Sequence, residues 1–235
     1  MDDMERYGDY NEVDEPPRRS PVTLVIKLLV ALVCISVAGV LGFRIAVFNH
    51  YPDSIKSLYI DEKLTELYKA TDGEIGALTQ SLRSPYDDPD RGNFFCDNLI
   101  FIDAIDRLQI SVRYNVSALS DIEEFYKTEG LDPDSDKLFS FRLVDNYGRV
   151  YDEVADITFD SYLMYRYLRL TFDGVVTEPD AEGKFPEWIR LEIFVEGHSE
   201  ENKPYAMIPV YENHADYNVF DPYVLSGEEV ELLDK

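Results

Sequence analysis

Glu212, His214 and Asp216 alternate in the stretch "YENHADY". Alternate residues of an extended chain share one face, so two carboxylates and an imidazole could converge on a cation. Zinc sites usually add a second histidine or a cysteine, and neither stands beside these three. A polar surface loop is therefore the better account of them. "DPDSD" sets Asp132, Asp134 and Asp136 at the spacing of calcium-loop ligands. Such a loop needs glycine at its sixth position and glutamate at its twelfth. Lys137 and Leu143 stand there instead, which leaves a polar loop. Asn115-Val116-Ser117 forms a glycosylation sequon, which has meaning only in a host that glycosylates. Tyr7 and Tyr10, set among carboxylates, have the look of tyrosine-kinase substrates.

The stronger signatures of catalysis are missing. The sequence holds no Gly-x-Ser-x-Gly, no HExxH, no phosphate-cradling glycine loop and no Cys-x-x-Cys. His50, His198 and His214 lie far apart. Carboxylate pairs suited to glycoside hydrolysis are so numerous that pairing carries no signal. No residue is singled out as catalytic, cofactor-binding or metal-ligating, and no cofactor is expected.

The elements around these residues begin with the run "VTLVIKLLVALVCISVAGVLGFR". From Val22 to Phe43 its only charge is Lys27, near one end. At about 1.5 Å per residue the run reaches roughly 33 Å, enough to cross a hydrocarbon core. Lys27 can snorkel to the interface. A cleaved signal peptide would have a shorter apolar run and a short basic start, whereas this start is long and acidic. Residues 22–48 are therefore expected to form a transmembrane helix. Arg18 and Arg19 of "PPRRSP" lie closest to the bilayer on the N-terminal side. The expected orientation is a cytoplasmic N-terminus and an extracellular C-terminal part, in the cell membrane. Cys34, Ala38, Gly42 and Ala46 repeat every four residues, a spacing that lets two helices approach and raises a homodimer through this face.

Acidic residues outnumber basic ones by 47 to 22. The first 48 residues hold seven acidic and five basic side chains, so residues 49–235 keep 40 against 17. A domain so negative repels nucleic acid and anionic surfaces, so no nucleic-acid partner is expected. Residues 1–21 hold too few apolar side chains to fold and read as a disordered acidic tail.

Residues 49–91 read as a helical neck and loop. Ile60, Leu64, Leu67 and Tyr68 fit one helix face. "TDGE" at 71–74 resembles a capping box, and Ile75, Leu78 and Leu82 then suggest a second short helix that ends at Ser84-Pro85. From Phe94 the period changes to two. Leu108, Ile110, Val112 and Tyr114 alternate with Gln109, Ser111, Arg113 and Asn115. Phe139, Phe141 and Leu143 alternate with Ser140 and Arg142, and Ile189, Leu191, Ile193 and Val195 with Arg190 and Glu192. Such alternation marks half-buried antiparallel strands. Tyr162, Met164, Leu168, Leu170 and Phe172 form a noisier set that Arg166 breaks. "DNYGR" reads as a hairpin turn, and Pro209 suits an edge strand. "SDIEEFYK" at 120–127 reads as a helix.

About seven strands over residues 92–212 predict an immunoglobulin-like antiparallel β-sandwich in architecture, although Cys96 is the only cysteine outside the apolar run. Residues 213–235 read as an acidic C-terminal tail, partly lying over the sandwich and frayed at its end. The stretches "FFCDNLIFI", "LQISVRYN", "FRLVDNYGRVY" and "PEWIRLEIFVEG", with the anchor and neck, resemble uncharacterised single-pass membrane-anchored proteins of Gram-positive anaerobes. That resemblance implies no activity and no site residue. The expected function is a membrane-anchored extracytoplasmic binding or interaction module whose partner is an envelope protein or glycan. The rival readings are a cell-envelope hydrolase with a carboxylate site and a signalling protein that uses Tyr7 and Tyr10.

Overall fold

The computed structural model describes residues 21–48, 50–82, 94–120, 123–132, 137–175, 186–196, 203–212 and 220–235. The chain divides after His50 into two compact units. In the first, α1 (Pro21–Phe48) is one unbroken apolar helix. Its stretch Leu24–Val47 is long and apolar enough to cross a membrane.

The second unit, Tyr51–Lys235, is mainly β. It opens with two short helices, α2 (Asp53–Lys56) and α3 (Glu62–Ala70), and the strand β1 (Leu78–Ser81). After these come β2 (Phe94–Ile102), β3 (Arg107–Asn115) and the helix α4 (Glu123–Glu129). Next are β4 (Phe139–Asp145), β5 (Val150–Tyr151), β6 (Val154–Tyr162), β7 (Tyr165–Phe172), β8 (Trp188–Val195) and β9 (Ala206–Glu212). The unit closes with β10 (Asp221–Pro222) and α5 (Gly227–Leu233). Two antiparallel sheets result, ordered β10-β1-β2-β3-β7-β6 and β5-β4-β8-β9.

The alternation seen in the sequence sets which side chains lie between the sheets. Leu108, Ile110, Val112 and Tyr114 of β3 join Phe139, Phe141 and Leu143 of β4 in one apolar cluster. Ile189, Leu191, Ile193 and Val195 of β8 complete it from the four-stranded side. Phe94, Tyr114 and Phe139 meet edge-on or tilted, with ring centroids 5.1–5.5 Å apart, a favourable geometry for aromatic pairs. Cys96 of β2 lies in this cluster as a buried thiol outside any disulfide, and burial pushes its pKa well up. A thiol so placed behaves as a small hydrophobe. Maleimide is expected to label Cys96 only after denaturation. A dimer band on a non-reducing gel that disappears in Cys96→Ser overturns this.

Four sequence expectations change. The expected helix over Ile75, Leu78 and Leu82 is instead β1, paired with β2 and β10. Gly73 (φ 94°) and Gly76 (φ 64°) turn the chain out of the helical region just before it, and "TDGE" ends α3, with Thr71 at its C-cap, rather than starting a helix. The noisy set around Arg166 is two strands, because β6 and β7 turn back at Leu163 (φ 53°) with Tyr162 paired to Tyr165. β3 is buried on both faces rather than half-buried. Finally, the C-terminal residues are not frayed. Ser226 and Glu229 form a capping box on α5, and Leu233 is buried against Ile100 and Ile102 of β2.

Candidate functional site

The outer faces of the two sheets differ, and the difference locates the site. On the six-stranded sheet, Arg107, Gln109, Ser111 and Arg113 of β3 point away from the core, yet all are buried. Residues 51–61 cover them as a strap. This strap meets β3 and β7 through polar side chains aimed at its backbone. Ser111 Oγ donates to Ile55 O at 3.3 Å. Gln109 accepts from the Tyr59 amide at 2.9 Å and donates to Ser57 O at 3.0 Å. Arg169 of β7 donates to Ser54 O and Ser57 O at 2.9 and 3.2 Å. Its other nitrogen holds Asp156 and Thr158 of β6. A buried polar group costs free energy unless it is hydrogen-bonded, and here the strap backbone supplies the partners.

The two ends of the strap are held by charge. At one end Arg113 is ringed by Tyr51, Phe95 and Tyr165, each ring centroid within 5.8 Å of its guanidinium. Burial, and then the nearby Asp97 carboxylate, pushes the Tyr51 phenol far above its ordinary range. At the other end Arg107, 1 % exposed, donates to both Asp61 oxygens at 2.9 and 2.7 Å and to both Asp173 oxygens at 2.7 and 3.0 Å. Asp61 also caps α3 by accepting from the Leu64 amide. Burial alone would raise the Asp61 pKa, but the Arg107 and Leu64 hydrogen bonds outweigh it and hold the carboxyl below its ordinary value. Arg107 does the same for Asp173. Glu229 of α5 fastens the strap to the C-terminal segment, accepting from the Leu58 amide and the Tyr223 hydroxyl at 2.7 and 2.8 Å.

The outer face of the four-stranded sheet carries no such cover among the described residues. α2 packs on β6 and β7, and α3 packs on α5, all on the six-stranded side. This outer face carries half-buried Val144, Trp188, Phe194 and Met207 beside exposed Val150 and Arg190. The strand register lines them up in rows, Arg142–Glu192–Met207 and Val150–Val144–Arg190–Pro209. Arg190 lies over the Trp188 ring at 4.4 Å, and Arg142 over the Phe194 ring at 4.7 Å. Arg142 Nε also donates to Glu192 at 2.6 Å. Ring and guanidinium groups thus hold one another in place on this face. The turn beside this face is fixed too. Buried Asp145 accepts from the Tyr147 and Arg149 amides and from the Tyr151 hydroxyl.

Among the described residues, those singled out in the sequence do not gather into one site. Glu212 lies on β9, paired with Trp188; His214 and Asp216 lie outside the described residues. Asp132 is exposed, while Asp134, Asp136, Tyr7, Tyr10 and His198 also fall outside the described residues. The Asn115 side-chain oxygen accepts from both the amide and the hydroxyl of Ser117 at 2.9 Å. Cys34, Ala38, Gly42 and Ala46 all lie on α1. Among the described residues no group of three or more His, Cys, Asp or Glu side chains is placed to hold a metal ion. The strap-binding residues Arg107, Gln109 and Arg169 give no warning in the sequence, because a polar residue on the outer face of a strand reads as solvated. No family model, curated protein or solved structure matches the chain.

Proposed function

We propose that the protein is a single-pass membrane protein whose extracytoplasmic immunoglobulin-like β-sandwich binds a protein partner through the open face of its four-stranded sheet. The observation that carries this reading is the contrast between the two outer faces. One is sealed by the chain's own strap, and the other holds a preformed set of Trp, Phe, Met and Arg side chains. Aromatic residues, Met and Arg are the types enriched at protein interfaces.

Strand order supports the immunoglobulin-like layout. Such domains place strands A-B-E-D in one sheet and C-F-G in the other, with C′ added beside C in some. With β2 as A, β3 as B and so on through β9 as G, the observed order β2-β3-β7-β6 is A-B-E-D. On the same lettering β5-β4-β8-β9 is C′-C-F-G. β1 and β10 extend the sheet beyond A. The B and F strands carry no cysteine to bridge the sheets. Apolar side chains such as Ile110 of β3 and Leu191 of β8 fill the core there instead. Fold alone does not fix function, so the face and not the lettering carries the binding claim.

Two measurements test the reading. Protease added to intact host cells is expected to digest residues 49–235 and to leave the N-terminal tail intact; the opposite pattern reverses the orientation. A photo-cross-linking amino acid at Phe194, in the full chain in its host membrane, is expected to form a protein adduct. The same group at Leu232, an exposed apolar residue of α5, is expected to form none. Equal adducts at both positions, or none at Phe194, overturn the assignment of the face.

A further inference from the structure

The turn between β6 and β7 is built against its own backbone preference. Leu163 adopts φ 53°, a left-handed conformation in which glycine or asparagine is strain-free and leucine is not. Its side chain is also 56 % exposed, and Tyr162 and Met164 beside it are exposed too. A two-residue hairpin loop normally carries Gly, Asn or Asp, so neither local geometry nor solubility accounts for "YLMY" at a tip. Arg166 closes the turn by donating to Leu163 O at 2.9 Å and Tyr165 O at 3.2 Å. From Tyr162 to Leu170 the chain, "YLMYRYLRL", carries two arginines and no acid, in a protein of net charge −25.

This tip lies at the end of the domain where the strap begins. The Tyr51 ring packs 4.9 Å from Tyr167, and Tyr167 lies 6.4 Å from Tyr165, the partner of Tyr162 in the hairpin. Only Asn49 and His50 separate Tyr51 from the last residue of α1. Two residues reach little more than about 10 Å between their flanking α-carbons. The opposite end of the sandwich is well separated. Phe139, whose ring lies 5.5 Å from Tyr114, begins β4, and the six further residues to Asp145 span about 20 Å.

We infer that the Tyr162–Tyr165 hairpin tip docks into the interfacial layer of the bilayer, with Leu163 and Met164 inserted and the tyrosines at headgroup level. The inference rests on the reading of α1 as a membrane span. Tyrosine favours this layer because one end of its ring is apolar and the other polar. Arg166 suits headgroup phosphates, and the tip residues Tyr162–Tyr165 themselves carry no acid. The short tether keeps the tip at high local concentration beside lipid, so two inserted side chains suffice to populate the contact.

Fluorescence quenching in vesicles tests this. The full chain, with Cys34→Ser and Leu163→Cys, is labelled with an environment-sensitive dye and reconstituted in phosphatidylcholine vesicles that contain a shallow spin-labelled lipid. Cys96, 1 % exposed, is expected not to take up dye in the folded protein, and the unlabelled-position control Cys34→Ser alone checks this. The label at 163 is expected to lose most of its emission to the spin label. The same label carried by Tyr147→Cys, on the β4–β5 turn at the far end, is expected to keep its emission. Chain that floats with the vesicles but shows no quenching at 163, or equal quenching at both positions, overturns the hairpin contact and leaves the span intact. Chain that does not float overturns the span, and the hairpin contact with it.

Discussion

Leu191→Asp is expected to unfold the β domain, and Glu192→Lys, one residue on, to leave it folded. Leu191 is fully buried between the sheets. Its removal forfeits roughly 1.5–3 kcal/mol of apolar burial. The aspartate that replaces it is a charge without a partner in an apolar core, at a further cost of several kcal/mol. Total stability of a domain is about 5–15 kcal/mol, so the sum reaches the scale of the whole. Glu192 points the other way, onto the open face, and accepts from Arg142. Its replacement by lysine loses that ion pair and sets two cations side by side, a change of about 1 kcal/mol for a partly exposed pair. Trp188, the single tryptophan of the chain, lies at the start of the same strand and reports both variants by its emission. Urea titration of the full chain in detergent micelles should show no folded baseline for Leu191→Asp and a slightly lowered midpoint for Glu192→Lys. Equal damage from both would refute the register of β8.

The face assignments on which this prediction rests are legible in the sequence. β3, β4 and β8 each keep an apolar inner face at every second residue, and that period survives whatever stands on or covers the outer face. That same robustness hides the strap. Gln109 and Arg113 look the same in sequence whether they meet water or the strap of residues 51–61. The β6–β7 turn is hidden for a different reason. Its left-handed residue is Leu163, where turn chemistry gives no signal. β1 reads as helix because its four residues follow a helix and share that helix's apolar content, and pairing with β2 decides the outcome. The capping box at the C-terminus does carry a local signal. Ser226 followed three residues later by Glu229, just before "VELL", is the pattern that opens a helix.

Removing the Arg107 guanidinium should destabilise the domain strongly at neutral pH and much less in acid. Arg107 is buried between Asp61 and Asp173, with four hydrogen bonds to their carboxylates. Arg107→Met keeps the apolar stem but leaves two carboxylates close together without their shared cation. Breaking a buried pair in this way costs about 3–5 kcal/mol. Asp61 also caps α3 and ends the strap, so the loss loosens the cover of the six-stranded sheet. In the wild type both carboxyls titrate below their ordinary value of 3.8. The stability they contribute is therefore complete above that value and is lost only as pH falls through their lower folded values. In Arg107→Met the largest lowering influence is gone, and burial and mutual repulsion are opposed only by the Leu64 amide at Asp61 and by Lys63 at Asp173. Both pKa values therefore rise relative to wild type, so protonation on acidification relieves part of the strain that the variant suffers at neutral pH. The free-energy difference between wild type and variant should shrink steadily from neutral pH toward the ordinary carboxylate range, as read by urea denaturation across pH. A difference that stays constant over that range would mean that Arg107 acts by packing alone and that its ion pairs do not hold the strap.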